Sequence, residues 1–212
     1  MRNTFRENEN ELLEVFLNES LFHPSNKLYS RLNGSNPNYS SMWSGIELIV
    51  RPECNQKCEY CYISRYGDDL YPRDERVSNE TILHNLDMFL TYIYQEKNMF
   101  ITRWELFAGD MFYDGLYFDI LDIFYKHFSV LKERFAPLLN KNEISIITPC
   151  NFSFIENDET VNRLNEYILK FRHEFHAEIG FSVSTDGKYA VDTREMKALN
   201  DEYFDKIFNF ME

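Results

Sequence analysis

From Gly45 onward, short apolar runs alternate with amphipathic helical stretches, and this alternation restricts the fold more than any other feature of the 212 residues. Runs at 46–50, 100–107, 143–148 and 179–184 are brief and rich in Ile, Val and Phe, as expected of strands covered by other elements. The segments between them repeat apolar residues at helical spacing. Ser78 can cap a helix to about residue 97, with Ile82, Leu86, Phe89, Leu90 and Ile93 on one face. The segment 115–135 carries Leu116, Ile120, Phe124, Phe128 and Leu131, and Pro137 is expected to stop it. Asp158 opens a helix to about residue 175, with Val161, Leu164, Ile168 and Phe171 inward. Leu199, Tyr203, Phe204, Ile207, Phe208 and Met211 form a last helical pattern. Such a βαβαβαβα order predicts an α/β fold with a parallel sheet. Right-handed crossovers put its four strands in sequential order, curling toward a barrel that four βα units do not close. The final helical pattern has no Gly stop and no polar tail, so the chain reads as the front part of a longer sheet, truncated at its C-terminus.

Residues 1–44 read differently. A helical pattern at 9–22 (Leu12, Leu13, Phe16, Leu17, Leu21) leads into 24–44, which is rich in Asn, Ser, Gly and Pro and reads as an irregular segment. The expected organisation is therefore a lead-in over 1–44 and a core domain over 45–212. At 44% hydrophobic and 17% aromatic residues, general disorder is excluded. No apolar run approaches the roughly 18 residues of a membrane-spanning helix. The amino terminus, MRNTFRENENELLEVF, lacks the apolar core of a signal peptide, so a cytoplasmic location is expected. With 35 acidic against 22 basic side chains, a formal charge of −13 argues against a protein built to grip nucleic acid.

Four cysteines in a reducing compartment point to metal ligands or core residues rather than disulfides. Three of them, Cys54, Cys58 and Cys61, follow the first strand directly with the spacing Cys-x3-Cys-x2-Cys. Three thiolates this close can converge on one face of an iron–sulfur cube. Four-iron clusters normally take four cysteines, so three ligands leave one iron open to a substrate or cofactor. Two other readings stay open: a simple electron-transfer cluster, and a structural zinc site completed by Cys150. Zinc ribbons usually show paired Cys-x2-Cys knuckles, and this chain has one such pair. Cys150 otherwise reads as a small core residue at a strand end.

The stretch Cys54-Asn-Gln-Lys-Cys58-Glu-Tyr60-Cys61-Tyr resembles the signature of the radical S-adenosylmethionine (radical SAM) superfamily. There, this spacing follows strand 1 and an aromatic residue precedes the third cysteine. The wording is similar in particular to the SPASM-type branch of anaerobic sulfatase-maturing enzymes and peptide-modifying maturases. Three later segments are similar too. Ala108-Gly109-Asp110 stands where the family carries Gly-Gly-Glu, whose backbone carbonyls take the cofactor's amino group. Ser184, in Ser-Thr-Asp186-Gly187, matches the end of strand 4, and Arg194, in Asp192-Thr-Arg194, matches a downstream element. Departures exist as well. Asp110 is one methylene shorter than Glu and is also placed to cap the next turn. Thr148-Pro149-Cys150 replaces a frequent Thr-Asn-Gly, and Asp186-Gly187 doubles as an ordinary turn.

The resemblance implies a 4Fe-4S cluster on Cys54, Cys58 and Cys61, with S-adenosylmethionine on the fourth iron. It implies that Tyr60 and Ile63 flank the adenine, and that Ala108, Gly109 and Asp110 receive the amino group. Ser184 and Arg194 would hold the carboxylate and ribose end, a task that suits the planar fork of an arginine. The implied fold is about four βα units of a (β/α)6 barrel. The implied activity is reductive cleavage of S-adenosylmethionine to a 5′-deoxyadenosyl radical that abstracts hydrogen, with a peptide or protein side chain as substrate. An external one-electron donor of flavodoxin or ferredoxin type would be a partner; a membrane or nucleic acid would not. The alternative is a truncated, non-catalytic iron–sulfur or zinc-binding α/β module. His23, His84, His127, His173 and His176 show no ligand spacing with one another and read as structural or solvated, and Asp68-Asp69 and Asp74-Glu75 read as solvated faces.

Overall fold

In a computed structural model of the chain, the described residues are 41–43, 45–51, 53–70, 77–97, 99–107, 109–112, 114–139, 144–183 and 201–211. In chain order they form β1 (Ser41–Trp43), β2 (Ile46–Ile49), α1 (Tyr62–Leu70), α2 (Asn79–Thr91), β3 (Met99–Ile101) and β4 (Arg103–Phe107). There follow α3 (Leu116–Leu139), β5 (Ile144–Cys150), α4 (Asp158–Phe175), β6 (Ala177–Val183) and α5 (Asp201–Met211). Strands β2, β4, β5 and β6 make one parallel sheet in that order, the sequential arrangement that the βα alternation predicts. β1 pairs with β3 in parallel, in the same residue offset that β2 keeps with β4. The four segments thus continue one ladder across a break at Gly45 and Thr102. A Cβ on Gly45 would come within 3.3 Å of Arg103 Cβ, so the close approach of the two strands there uses the missing side chain.

The sheet has two unlike faces. On one, the row Ile46–Trp104–Ile146–Ile179 is buried. Trp104 meets Phe89 of α2 and Phe124 of α3 edge to face, at 6.4 and 5.2 Å, a geometry aromatic quadrupoles favour. Phe128, Phe171 and Phe175 extend this wall between α3 and α4. The opposite face carries the row Glu47–Glu105–Ile147–Gly180, with Glu47 exposed and the other three half-buried. Parallel sheets are usually covered on both sides, so the polar row marks a second, separate surface.

Local chemistry explains the helices. The Ser78 hydroxyl accepts from Thr81 N at 3.2 Å and starts α2, as expected. After Thr91 the helix widens into a π-helical turn, Tyr92–Glu96, closed by Lys97 N donating to Tyr92 O at 2.9 Å. The wider turn buries the consecutive residues Ile93 and Tyr94, whose hydroxyl accepts from Trp104 Nε1 at 2.9 Å. α4 spans the expected residues; Asn157 caps it by accepting from Thr160 N at 3.0 Å, and His176, left-handed at φ 52°, ends it where glycine is commoner.

Residues 62–70 are a helix that no apolar periodicity announces; Arg65 N donates to Cys61 O at 3.1 Å and closes its first turn. Three expectations are corrected. Within the irregular stretch 24–44, residues 41–43 form a strand because β3 offers them a ladder. The single strand over 100–107 is broken at Thr102, whose carbonyl is taken by Ser145 N at 2.8 Å. Pro137 does not stop α3 at once; the helix runs two residues beyond it, to Leu139. The patterns at 9–22 and 184–200 lie outside the described residues. No described helix is long and apolar enough to cross a membrane.

Candidate metal and cofactor site

The cysteine loop leaves the end of β2 and is zipped to the loop leaving β4. Val50 N donates to Phe107 O at 3.0 Å, Gly109 N to Arg51 O at 3.0 Å and Asp110 N to Glu53 O at 2.7 Å. Cys54 therefore starts from backbone held by its neighbour strand. Arg51, itself buried, forms ion pairs with Glu53, at 3.2 Å, and with Asp114. Asp114 also accepts from Asn79 Nδ2 at 2.9 Å. Burial alone would raise the Asp114 carboxyl, but Arg51, Asn79 and Leu116 N hold it below the usual carboxylate range. Arg51 thus ties the loop to the turn before α3 and to the start of α2.

The three thiols occupy one loop but differ in setting. Cys58 is buried, while Cys54 and Cys61 are partly exposed. Cys61 N donates to Cys58 O at 3.1 Å, a tight turn that puts Cys61 just before α1. Burial pushes the Cys54 thiol up to about 11; the Gln56 amide opposes this, and Asp110, Cys58 and Cys61 add to it. Cys54 thus feels both other thiols. Their sulfurs are turned to local amides: Gln56 N donates to Cys54 Sγ at 3.4 Å, and Cys58 Sγ donates to Gln56 Oε1 at 3.6 Å. Among the described residues, no group of three or more His, Cys, Asp or Glu side chains is gathered closely enough to hold a metal ion. The donor set itself, three thiols beside neutral amides, suits a thiophilic iron or zinc centre. A bound cation would stabilise the thiolates and reverse the rise at Cys54.

The remaining expected residues fall as follows. Tyr60 is 51% exposed beside Cys61, and Ile63 is half-buried in the first turn of α1. Gly109 is half-buried at the end of β4. Asp110 is buried; its Oδ1 accepts from Phe112 N at 3.0 Å and its Oδ2 from the Ser153 hydroxyl at 3.3 Å. Burial pushes its carboxyl above the usual range, against those bonds and one from Asn151. Ala108, Ser184, Asp186, Gly187, Asp192 and Arg194 lie outside the described residues. Cys150 is buried at the end of β5, and burial pushes its thiol up to about 12, with Asp110 adding to the rise.

Beyond β5 lie residues that the sequence reading passes over. Asn151 and Ser153 both bond to Asn55 of the cysteine loop, at 2.8 and 2.6 Å. Phe152 between them is left-handed, with φ 61°, and fully buried. Such a conformation costs a non-glycine residue about 1–3 kcal/mol. It persists because Phe154, Phe181 and Phe210 pack around its ring. The Asn-Phe-Ser triplet carries no spacing signal; only its place just after a strand could have pointed to it. No protein-family model, curated protein or solved structure matches the chain.

Proposed function

We propose that the chain carries a radical SAM catalytic site, in which Cys54, Cys58 and Cys61 hold a 4Fe-4S cluster and leave one iron for S-adenosylmethionine. One observation carries the reading. A Cys-x3-Cys-x2-Cys loop leaves the first strand of a sequential parallel sheet and is bonded to the loop after the next strand, at Gly109 and Asp110. Strand ends of parallel sheets are where α/β proteins gather ligands from successive loops. The polar, partly open face of the sheet fits the inward side of a partial barrel. When bound, the cluster and its cofactor supply one-electron cleavage of the sulfonium–carbon bond, giving a 5′-deoxyadenosyl radical that removes hydrogen from a substrate.

The chain's own residues then have positional tasks. Cys61, at the start of α1, is held by the turn that its N–H makes with Cys58 O. Gly109, joined to Arg51, keeps the loop after β4 against the cysteine loop. Tyr60 and Ile63 would lie along the adenine, and Ser184 and Arg194 would take the carboxylate and ribose. Asp110, with both oxygens held by the protein, acts through the loop rather than on the cofactor. The substrate by resemblance is a peptide or protein side chain, and the electron comes from a flavodoxin- or ferredoxin-type donor.

Anaerobic reconstitution with ferrous iron and sulfide is expected to load about four irons per chain. Dithionite and S-adenosylmethionine should then release 5′-deoxyadenosine and methionine. Zinc retained in place of iron, or a loaded cluster that yields no 5′-deoxyadenosine, defeats this reading.

A further inference from the structure

Cys54 is bracketed by its two chain neighbours. On one side, Glu53 O accepts from Asp110 N at 2.7 Å. On the other, Asn55 is gripped at both ends of its amide: Nδ2 donates to Ser153 Oγ at 2.6 Å, and Oδ1 accepts from Asn151 Nδ2 at 2.8 Å. The Ser153 hydroxyl donates in turn to Asp110 Oδ2, at 3.3 Å, so the two brackets are one connected chain of bonds. The grip is itself held. Asn151 Oδ1 accepts from Ser153 N at 2.9 Å, and its carbonyl accepts from the Tyr203 hydroxyl of α5 at 3.1 Å. Each polar group in this chain has a partner, the condition under which such a network rigidifies its surroundings. Asn55 is exposed and lies 96 and 98 residues before its two partners. Neither helix nor sheet geometry requires these bonds.

We infer that Asn151 and Ser153 are positioning residues for the first thiol: through Asn55 they fix where Cys54 sits before any metal arrives. The inference rests on the cluster-binding reading above, because three sulfurs must meet one cluster face and Cys54 lies furthest along the loop from the turn that fixes Cys58 and Cys61. Holding a ligand from a second layer of bonds is how metal sites are oriented in advance.

The test uses the full chain, metal-free and reduced, labelled with iodoacetamide and read cysteine by cysteine through peptide mapping. Ser153→Ala and Asn55→Ala are each expected to raise the Cys54 rate about five-fold relative to Cys150, the population change carried by one net hydrogen bond. Ser153→Thr, which keeps the hydroxyl, should restore the original rate. An unchanged Cys54 rate in Asn55→Ala, a surface substitution that leaves the core intact, overturns the inference. So does an equal rise at Cys150, which reports general loosening. The same chains reconstituted with ferrous iron and sulfide separate this inference from the one beneath it. A wild type that takes up no cluster defeats the cluster reading while the labelling still judges the clamp. A loaded Ser153→Ala chain should lose iron to a chelator about five-fold faster than wild type; loss at the wild-type rate overturns the clamp alone.

Discussion

The helix-covered side of the sheet and the rim at its strand ends are held together by different forces. Behind the sheet, Trp104, Phe124, Phe128, Phe171 and Phe175 form a dry aromatic wall. At the rim, Arg51, Asp110, Asn55, Asn151 and Ser153 are joined by directed bonds across three loops. Apolar burial is tolerant of direction and supplies stability. Hydrogen bonds supply little net stability and much geometry. A site that must present three sulfurs to one target needs the second kind of force, and a scaffold to carry it needs the first.

That division can be broken by experiment. Trp104→Ala should have the largest effect, costing about 3–5 kcal/mol in urea unfolding, since the indole loses three ring neighbours and its bond to the Tyr94 hydroxyl. Replacing Cys54, Cys58 and Cys61 together by Ala should abolish iron uptake while costing about 1 kcal/mol. If both variants lost the same stability, the rim would be part of the core and the distinction would fall. Tyr203→Phe should cost about 1 kcal/mol by removing the bond to Asn151 O and should speed Cys54 labelling less than Ser153→Ala does. His127 sharpens the comparison from the core side. It is buried, with Nε2 2.7 Å from Asp87 Oδ1, and burial holds its imidazole below the ordinary value despite that neighbour. The unfolded chain then binds the extra proton first, so this contribution to stability is lost as pH falls through about 6.5, the unfolded histidine value. His127→Gln should flatten the pH 7.5 to 5.5 dependence of unfolding; an unaltered slope would assign the dependence elsewhere.

Much of the scaffold is legible in the sequence because its signals are local. Ser78 and the 158–175 periodicity mark helices where they occur, and four short apolar runs between helices leave little choice but a sequential parallel sheet. The errors are equally physical. β1 forms because β3 extends a ladder, which composition does not report. α1 hides behind Gly67 and paired aspartates, poor helix formers. The thiol loop is legible from spacing alone, whereas its grip through Asn151 and Ser153 is made by residues nearly a hundred positions away and leaves no local trace.

The edge position of β2 has a consequence for how the thiols become available. Among the described residues this strand bonds to β4 only, and its Glu47 sits in register beside Glu105, a like-charge pairing that weakens the seam. When the sheet breathes, β2 has one seam to lose where β4 and β5 have two, and its parting would carry the cysteine loop. Amide exchange should run faster along Ile46–Ile49 than along Ile144–Cys150, and added salt, by muting the repulsion, should narrow the gap.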